Sequence, residues 1–248
     1  MRELAGRSFL WTACAASLLG LCVPALAQAG APGAECDRLY ATDDQLWVLR
    51  AGGPAQLLLS DAAGVLQPRW SRSGEKIAYA REFRFADQKP WSEVVIAGAR
   101  GQAIRTLPIE AEWGITALLQ LGWRGEDRVF VEGHVNPSTS RYLEWDVGSG
   151  RPLANKLGSW FAPSPDGRRL AQRAHVPHGA PPPHDGSLLL IDDRAVYPPP
   201  DHAEHHFVGG FAWSDDGSRL AFAERRDKLL ELVVLKAAEG ALERRAAL

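Results

Sequence analysis

A tryptophan-bearing segment recurs along this chain and constrains its fold more than any other feature. Residues 67–81 read QPRWSRSGEKIAYAR, residues 209–225 read GGFAWSDDGSRLAFAER, and residues 158–174, GSWFAPSPDGRRLAQRA, are a looser copy. Residues 121–133, LGWRGEDRVFVEG, form a fourth, degenerate one. Aligned without gaps, the copies put Trp70, Trp123, Pro163 and Trp213 in one column and Gly74, Asp127, Gly167 and Gly217 in another. The columns are spaced by 53, 40 and 50 residues, which is close to propeller-type repeats and too irregular for a helical solenoid.

Each copy has the chemistry of a β-hairpin. Ser73-Gly74, Asp166-Gly167 and Asp216-Gly217 are turn dipeptides that admit positive φ. After the turn, Ile77-Ala78-Tyr79-Ala80 and Leu220-Ala221-Phe222-Ala223 alternate large and small residues, so one face packs closely while the other fills space. Second hairpins lie between the copies: 46–59 across Gly52-Gly53, 94–107 across Gly98 and Gly101, 142–153 across Gly148 and Gly150, 188–197, and 229–242 across Gly240. Two hairpins per unit give four strands, and four-stranded units repeated radially are propeller blades.

The pattern Trp-Ser-x-x-Gly-x-x-Ile/Leu-Ala-Tyr/Phe, preceded by LWVLRAGGPAQLLL at 46–59, resembles the TolB-type propeller repeat of exported bacterial proteins. The resemblance spans residues 45 to 245 and concerns the propeller part alone, without the N-terminal α/β domain of TolB proteins. It implies an all-β fold: a β-propeller of four to five four-stranded blades. Full units run over 67–107, 118–155, 159–197 and 209–245, with a half unit at 46–59. Residues 38–41 add a strand that makes an incomplete first blade. The strand count favours a closed ring over an open arc whose edge needs a partner to cover it. In the third copy, Gln172 interrupts the pattern where Tyr79 and Phe222 stand.

The beginning of the chain reads as an address. Arg2 and Arg7 precede an apolar run from Phe9 to Leu21, and Ala25-Leu26-Ala27 supplies the small residues that signal peptidase requires. Thirteen apolar residues fall short of the ~20 that span a bilayer, so a transmembrane anchor is not expected. Lipidation of Cys22 is disfavoured by Leu21 before it. The expected organisation is a signal peptide at 1–27, a flexible lead with a first strand at 28–44 and the propeller at 45–248, in a periplasmic or secreted protein. Cleavage leaves only Cys36, so no internal disulfide forms. The 28 Lys and Arg are balanced by 30 Asp and Glu spread along the chain, which argues against nucleic acid as a partner.

Catalytic signatures are sparse. The chain has no Gly-x-Ser-x-Gly elbow, phosphate-binding loop or dinucleotide fingerprint, and the pairs Asp43-Asp44, Asp192-Asp193 and Asp215-Asp216 sit where turns are expected. Histidine is the exception, because six of seven fall between residues 175 and 206. His175, His178 and His184 belong to a loop inside the third full unit, and His202, His205 and His206 to the loop leading into the next. Both loops are expected on one face, where converging imidazoles can bind zinc, copper or manganese, with Asp201 or Glu204 completing the shell. The prolines at 181–183 and 198–200 make stiff segments that can instead hold the two groups apart. The expected function is non-catalytic binding of a periplasmic or envelope protein through the loop-rich face. A metal-dependent lyase or hydrolase using the histidines is the alternative, and a purely structural envelope component the third reading.

Overall fold

The computed structural model describes residues 37–50, 52–81, 84–86, 89–175, 187–197, 205–226 and 228–248. Their strands fall into five antiparallel groups in chain order. Blade 1 holds β1 (Arg38–Ala41), β2 (Gln45–Leu49) and β3 (Ala55–Ser60). Blade 2 holds β4 (Leu66–Trp70), β5 (Lys76–Ala80), β6 (Arg84–Ala86), β7 (Lys89–Gly98) and β8 (Ala103–Ile109), with the short β6 pairing beside β5 on β7. Blade 3 holds β9 (Ala117–Arg124), β10 (Arg128–Asn136), β11 (Thr139–Asp146) and the first part of β12 (Pro152–Pro163). Blade 4 takes the rest of β12 with β13 (Leu170–His175), β14 (Ser187–Ile191) and β15 (Arg194–Tyr197). Blade 5 is β16 (His205–Trp213), β17 (Arg219–Arg226), β18 (Leu229–Lys236) and β19 (Ala241–Ala247). One continuous strand, β12, is thus the last strand of one blade, against β11, and the first of the next, against β13. Among the described residues blade 1 has no counterpart of the first strands β4, β9 and β16, which makes it the incomplete unit.

The repeated motif is explained by its turn. In blades 4 and 5 the amides of Gly167 and Gly217 each donate to the serine carbonyl three residues back, at 2.8 Å, and both glycines have positive φ. The serine after the tryptophan column closes the turn from the side: Ser164 and Ser214 donate to Asp166 and Asp216 at 2.6 Å, while their hydroxyls accept from the amides of Arg169 and Arg219. Gln172 does not break its strand; it is buried within β13 and faces Leu190 across the ladder.

Blades pack face to face through four apolar clusters. Leu46, Ile77, Tyr79 and Val95 join blades 1 and 2, while Ile96, Leu121, Trp123 and Trp145 join blades 2 and 3. Phe130, Tyr142, Phe161 and Leu170 join blades 3 and 4, and Leu189, Phe207, Phe222 and Val233 join blades 4 and 5. The tryptophan column stitches the same junctions. Trp123 Nε1 donates to the Arg69 carbonyl at 3.0 Å, Trp213 Nε1 to that of Ala162 at 2.8 Å, and Trp70 Nε1 to that of Asp37 at 3.1 Å. Trp123 is buried, whereas Trp70 and Trp213 are only partly so.

Among the described residues no core cluster joins blade 5 to blade 1. The junctions are made largely by first strands, β4 on β9 and β12 on β16, and blade 1 has no such strand to offer.

Candidate binding face

The tryptophan bonds fix the polarity of the array. Trp213 ends β16 and reaches Ala162 near the end of β12, so the two strands run the same way. Tight turns gather at that end, and the longer connections gather at the other. His175, the last residue of β13, and His205, the first of β16, therefore sit at the same, loop-bearing end of adjacent blades. His206 is exposed beside them. His178, His184 and His202 lie outside the described residues, so the convergence expected of the two loops is not addressed. Among the described residues no three His, Cys, Asp or Glu side chains stand close enough to hold a metal ion. His134, the seventh histidine, lies in β10, with Nδ1 3.4 Å from Thr116 Oγ1.

At this end the first strands are bulged. The pairing of each first strand with its neighbour slips, by one residue in β4 and β12 and by two in β16, and the irregularity contains Gln67 (φ 48°), Trp160 (φ 55°) and Gly209 (φ 83°) in left-handed backbone. Glycine adopts this conformation freely, but for Gln67 and Trp160 it costs ~1–3 kcal/mol each, which the surroundings must over-determine. Gln67 is held by its amide group, which donates to the Leu119 carbonyl at 3.3 Å and accepts from the Leu121 amide at 3.0 Å. Trp160 is held by Glu132, whose Oε1 accepts its amide at 3.1 Å.

Glu132 is 6% exposed. Burial pushes its pKa above the usual range, although Ser140 and the amides of Phe161 and Trp160 oppose that shift by bonding the carboxylate. A lone carboxylate in the apolar run FVEG was a visible signal of such a buried role, but its partners, 28 and 29 residues away, were not.

Held this way, the Trp160 indole stands partly open beside Phe207 and Phe211, at ring separations of 6.5 and 6.0 Å. The Arg173 guanidinium lies over the same ring, 4.6 Å from its centre. Gly210, next to Phe211 in β16, is exposed, and a Cβ there would meet nothing within 4 Å. Below it, Glu224 is fully buried and ties blade 4 to blade 5. It accepts from Tyr197 Oη at 2.8 Å and pairs with Arg245 at 3.0 Å. The shelf presents aromatic faces, one cation and open backbone, which is chemistry for recognition.

No family model matches the chain, and no curated protein is similar to it in sequence. Solved structures resemble it strongly in fold. A dipeptidyl aminopeptidase IV homologue from Bacteroides ovatus superposes with a TM-score of 0.56 at 10% identity, over 84% of this chain and 38% of that one. The dihydro-heme d1 dehydrogenase NirN, solved with DHE, gives 0.55 at 15% identity over 86% and 45%. The β-propeller domain of the Trilobed protease from Pyrococcus furiosus, described as having an open velcro topology, gives 0.51 at 14% identity over 86% and 66%. The chain is a β-propeller, and TolB proteins are among its structural neighbours; that of Acinetobacter baumannii gives 0.46 at 13% identity over 82% of this chain and 51% of its own. The chain thus spans about half or less of the length of several proteins it resembles.

Proposed function

We propose that this chain is an exported, non-catalytic propeller that binds a protein ligand at the loop-bearing end of blades 4 and 5. The observation that carries this reading is the partly exposed pair Trp160 and Phe211, packed on the buried Phe207, with the Arg173 guanidinium 4.6 Å from the indole ring centre. Aromatic residues and arginine dominate protein-binding hot spots because they offer large contact area at low entropic cost. Export rests on residues 1–27, and a periplasmic or secreted location goes with it. No helix among the described residues is long and apolar enough to cross a membrane.

Immobilised protein challenged with envelope extract tests the reading. A specific partner retained by the wild type should be lost with Trp160→Ala and weakened by Arg173→Ala. Equal retention by all three would refute the shelf as the site. Intact mass of the exported protein should begin at Gln28.

A second reading, a metal-dependent enzyme, draws on the shared end of the His175 and His205 backbones. Metal analysis of the purified protein, with His175→Ala and His205→Ala as controls, separates the two. Stoichiometric zinc, copper or manganese lost in the variants would favour the enzyme.

A further inference from the structure

Neighbouring blades are joined at their outer rim by a contact that recurs along the chain. The turn between the third and fourth strands of each blade receives the fourth strand of the blade before it. In blade 2, a Cβ on Gly101 (φ 84°) would lie 2.3 Å from the Leu58 carbonyl oxygen of β3. In blade 3, Arg105 of β8 donates to the carbonyls of Gly148 at 2.7 Å and Ser149 at 3.2 Å, and a Cβ on Gly150 (φ 76°) would collide with that guanidinium. In blade 4, Lys156 of β12 pairs with Asp193. In blade 5, Arg194 of β15 donates to the Ala238 carbonyl at 2.9 Å, and a Cβ on Gly240 (φ 70°) would lie 2.8 Å from Val196 Cβ.

Both halves of one more such contact stand unmet at the ends of the arc. In blade 1 the matching turn carries Gly52 at φ 70°, with nothing within 4 Å of where a Cβ would be. In blade 5, Arg244 stands opposite Val234 just as Arg105 stands opposite Ile96 in blade 2. It is exposed and makes no hydrogen bond or ion pair among the described residues. The sheet faces beside these two half-contacts are apolar. The outer face of blade 5 carries Leu230, Leu232 and Val234, and that of blade 1 carries Trp47 with Tyr40 and Leu57, which are 46% and 48% exposed. Repeat arrays that remain single need a polar cap on each terminal face, and the described residues supply none at either end.

We propose that blade 5 of one copy stacks on blade 1 of a second copy, continuing the inter-blade interface used four times within the chain, with Arg244 seated in the turn at 50–53. The occupant is a second copy because the chain already uses this interface between its own blades, and blades 5 and 1 carry the two unmet halves of one more. The contact is head-to-tail, so it extends into rings or longer assemblies.

Sedimentation velocity on the full chain, over a concentration series, tests this. Wild type should grow from one copy to two and more. Leu57→Glu blocks the face of blade 1 and Arg244→Glu blocks blade 5, and each variant alone should remain a single copy with an unchanged thermal melt. Mixed together, they retain one intact head and one intact tail, and should form a one-to-one pair that grows no further. A wild type that stays a single copy, or variants that associate as it does, would overturn the proposal. So would a Gly52→Cys, Arg244→Cys variant that cross-links within one chain while the wild type remains monomeric.

Discussion

At the scale of single residues, two side chains hold the blades in register. Trp213 contributes apolar contact to the blade 4–5 junction and one indole hydrogen bond to Ala162. Because it is only partly buried, Trp213→Ala should cost about 3 kcal/mol, at the low end for an aromatic truncation. Trp213→Phe, which removes the hydrogen bond and part of the ring, should cost about 1 kcal/mol. Urea melts read both, and a loss under half that for Trp213→Ala would mean the junction does not depend on the column. Glu132 has the opposite pH signature from Asp61, whose burial is outweighed by hydrogen bonds from Arg81 and Tyr79 that hold its pKa below the usual value. Its pKa is raised in the folded state, so its contribution to stability is complete below the usual 4.5 and is lost as pH rises through the folded value. Glu132→Gln keeps an acceptor for Trp160 without the buried charge. The variant should therefore gain stability relative to wild type as pH rises from 4 to 7, as read by melts across that range. A difference independent of pH would contradict the assignment.

Among the elements, the turns separate backbone conformation from packing. Gly52 and Gly150 both have positive φ, at 70° and 76°, but only Gly150 is pressed against another blade. Gly52→Ala should cost ~1–2 kcal/mol for left-handed backbone alone, and Gly150→Ala measurably more because Arg105 must also move. Equal losses in melts of the two variants would show that the Arg105 contact contributes nothing. This is also the scale at which the sequence was most readable. The Trp-Ser-x-x-Gly motif announced a hairpin because its serine, glycine and alternating strand act locally, and the second hairpins followed from glycines between apolar runs. The positive φ of Trp160 was hidden, since it depends on a carboxylate in the preceding blade. Gln67 escaped notice for the same reason: its partners are in β9, more than fifty residues on. The candidate shelf was thus illegible where it relies on long-range bonds, while the histidines drew attention by composition alone.

For the whole molecule, the described blades pack through four junctions, the proposed binding end lies at blades 4 and 5, and no described core cluster covers the outer faces of blades 1 and 5. The strand count made ring closure look natural, but counting strands says nothing of whether the first blade has an inner strand to offer its neighbour. The central claim is that recognition takes place at the loop-bearing end rather than at the tight-turn end. Photo-cross-linking in the producing cell tests it most directly, with the cross-linker placed at Gly210 beside the shelf or at Ser218 in the opposite turn. The account predicts a discrete adduct from position 210, abolished by Trp160→Ala, and none from position 218. An adduct from position 218 alone, or adducts from 210 that survive the loss of Trp160, would contradict it.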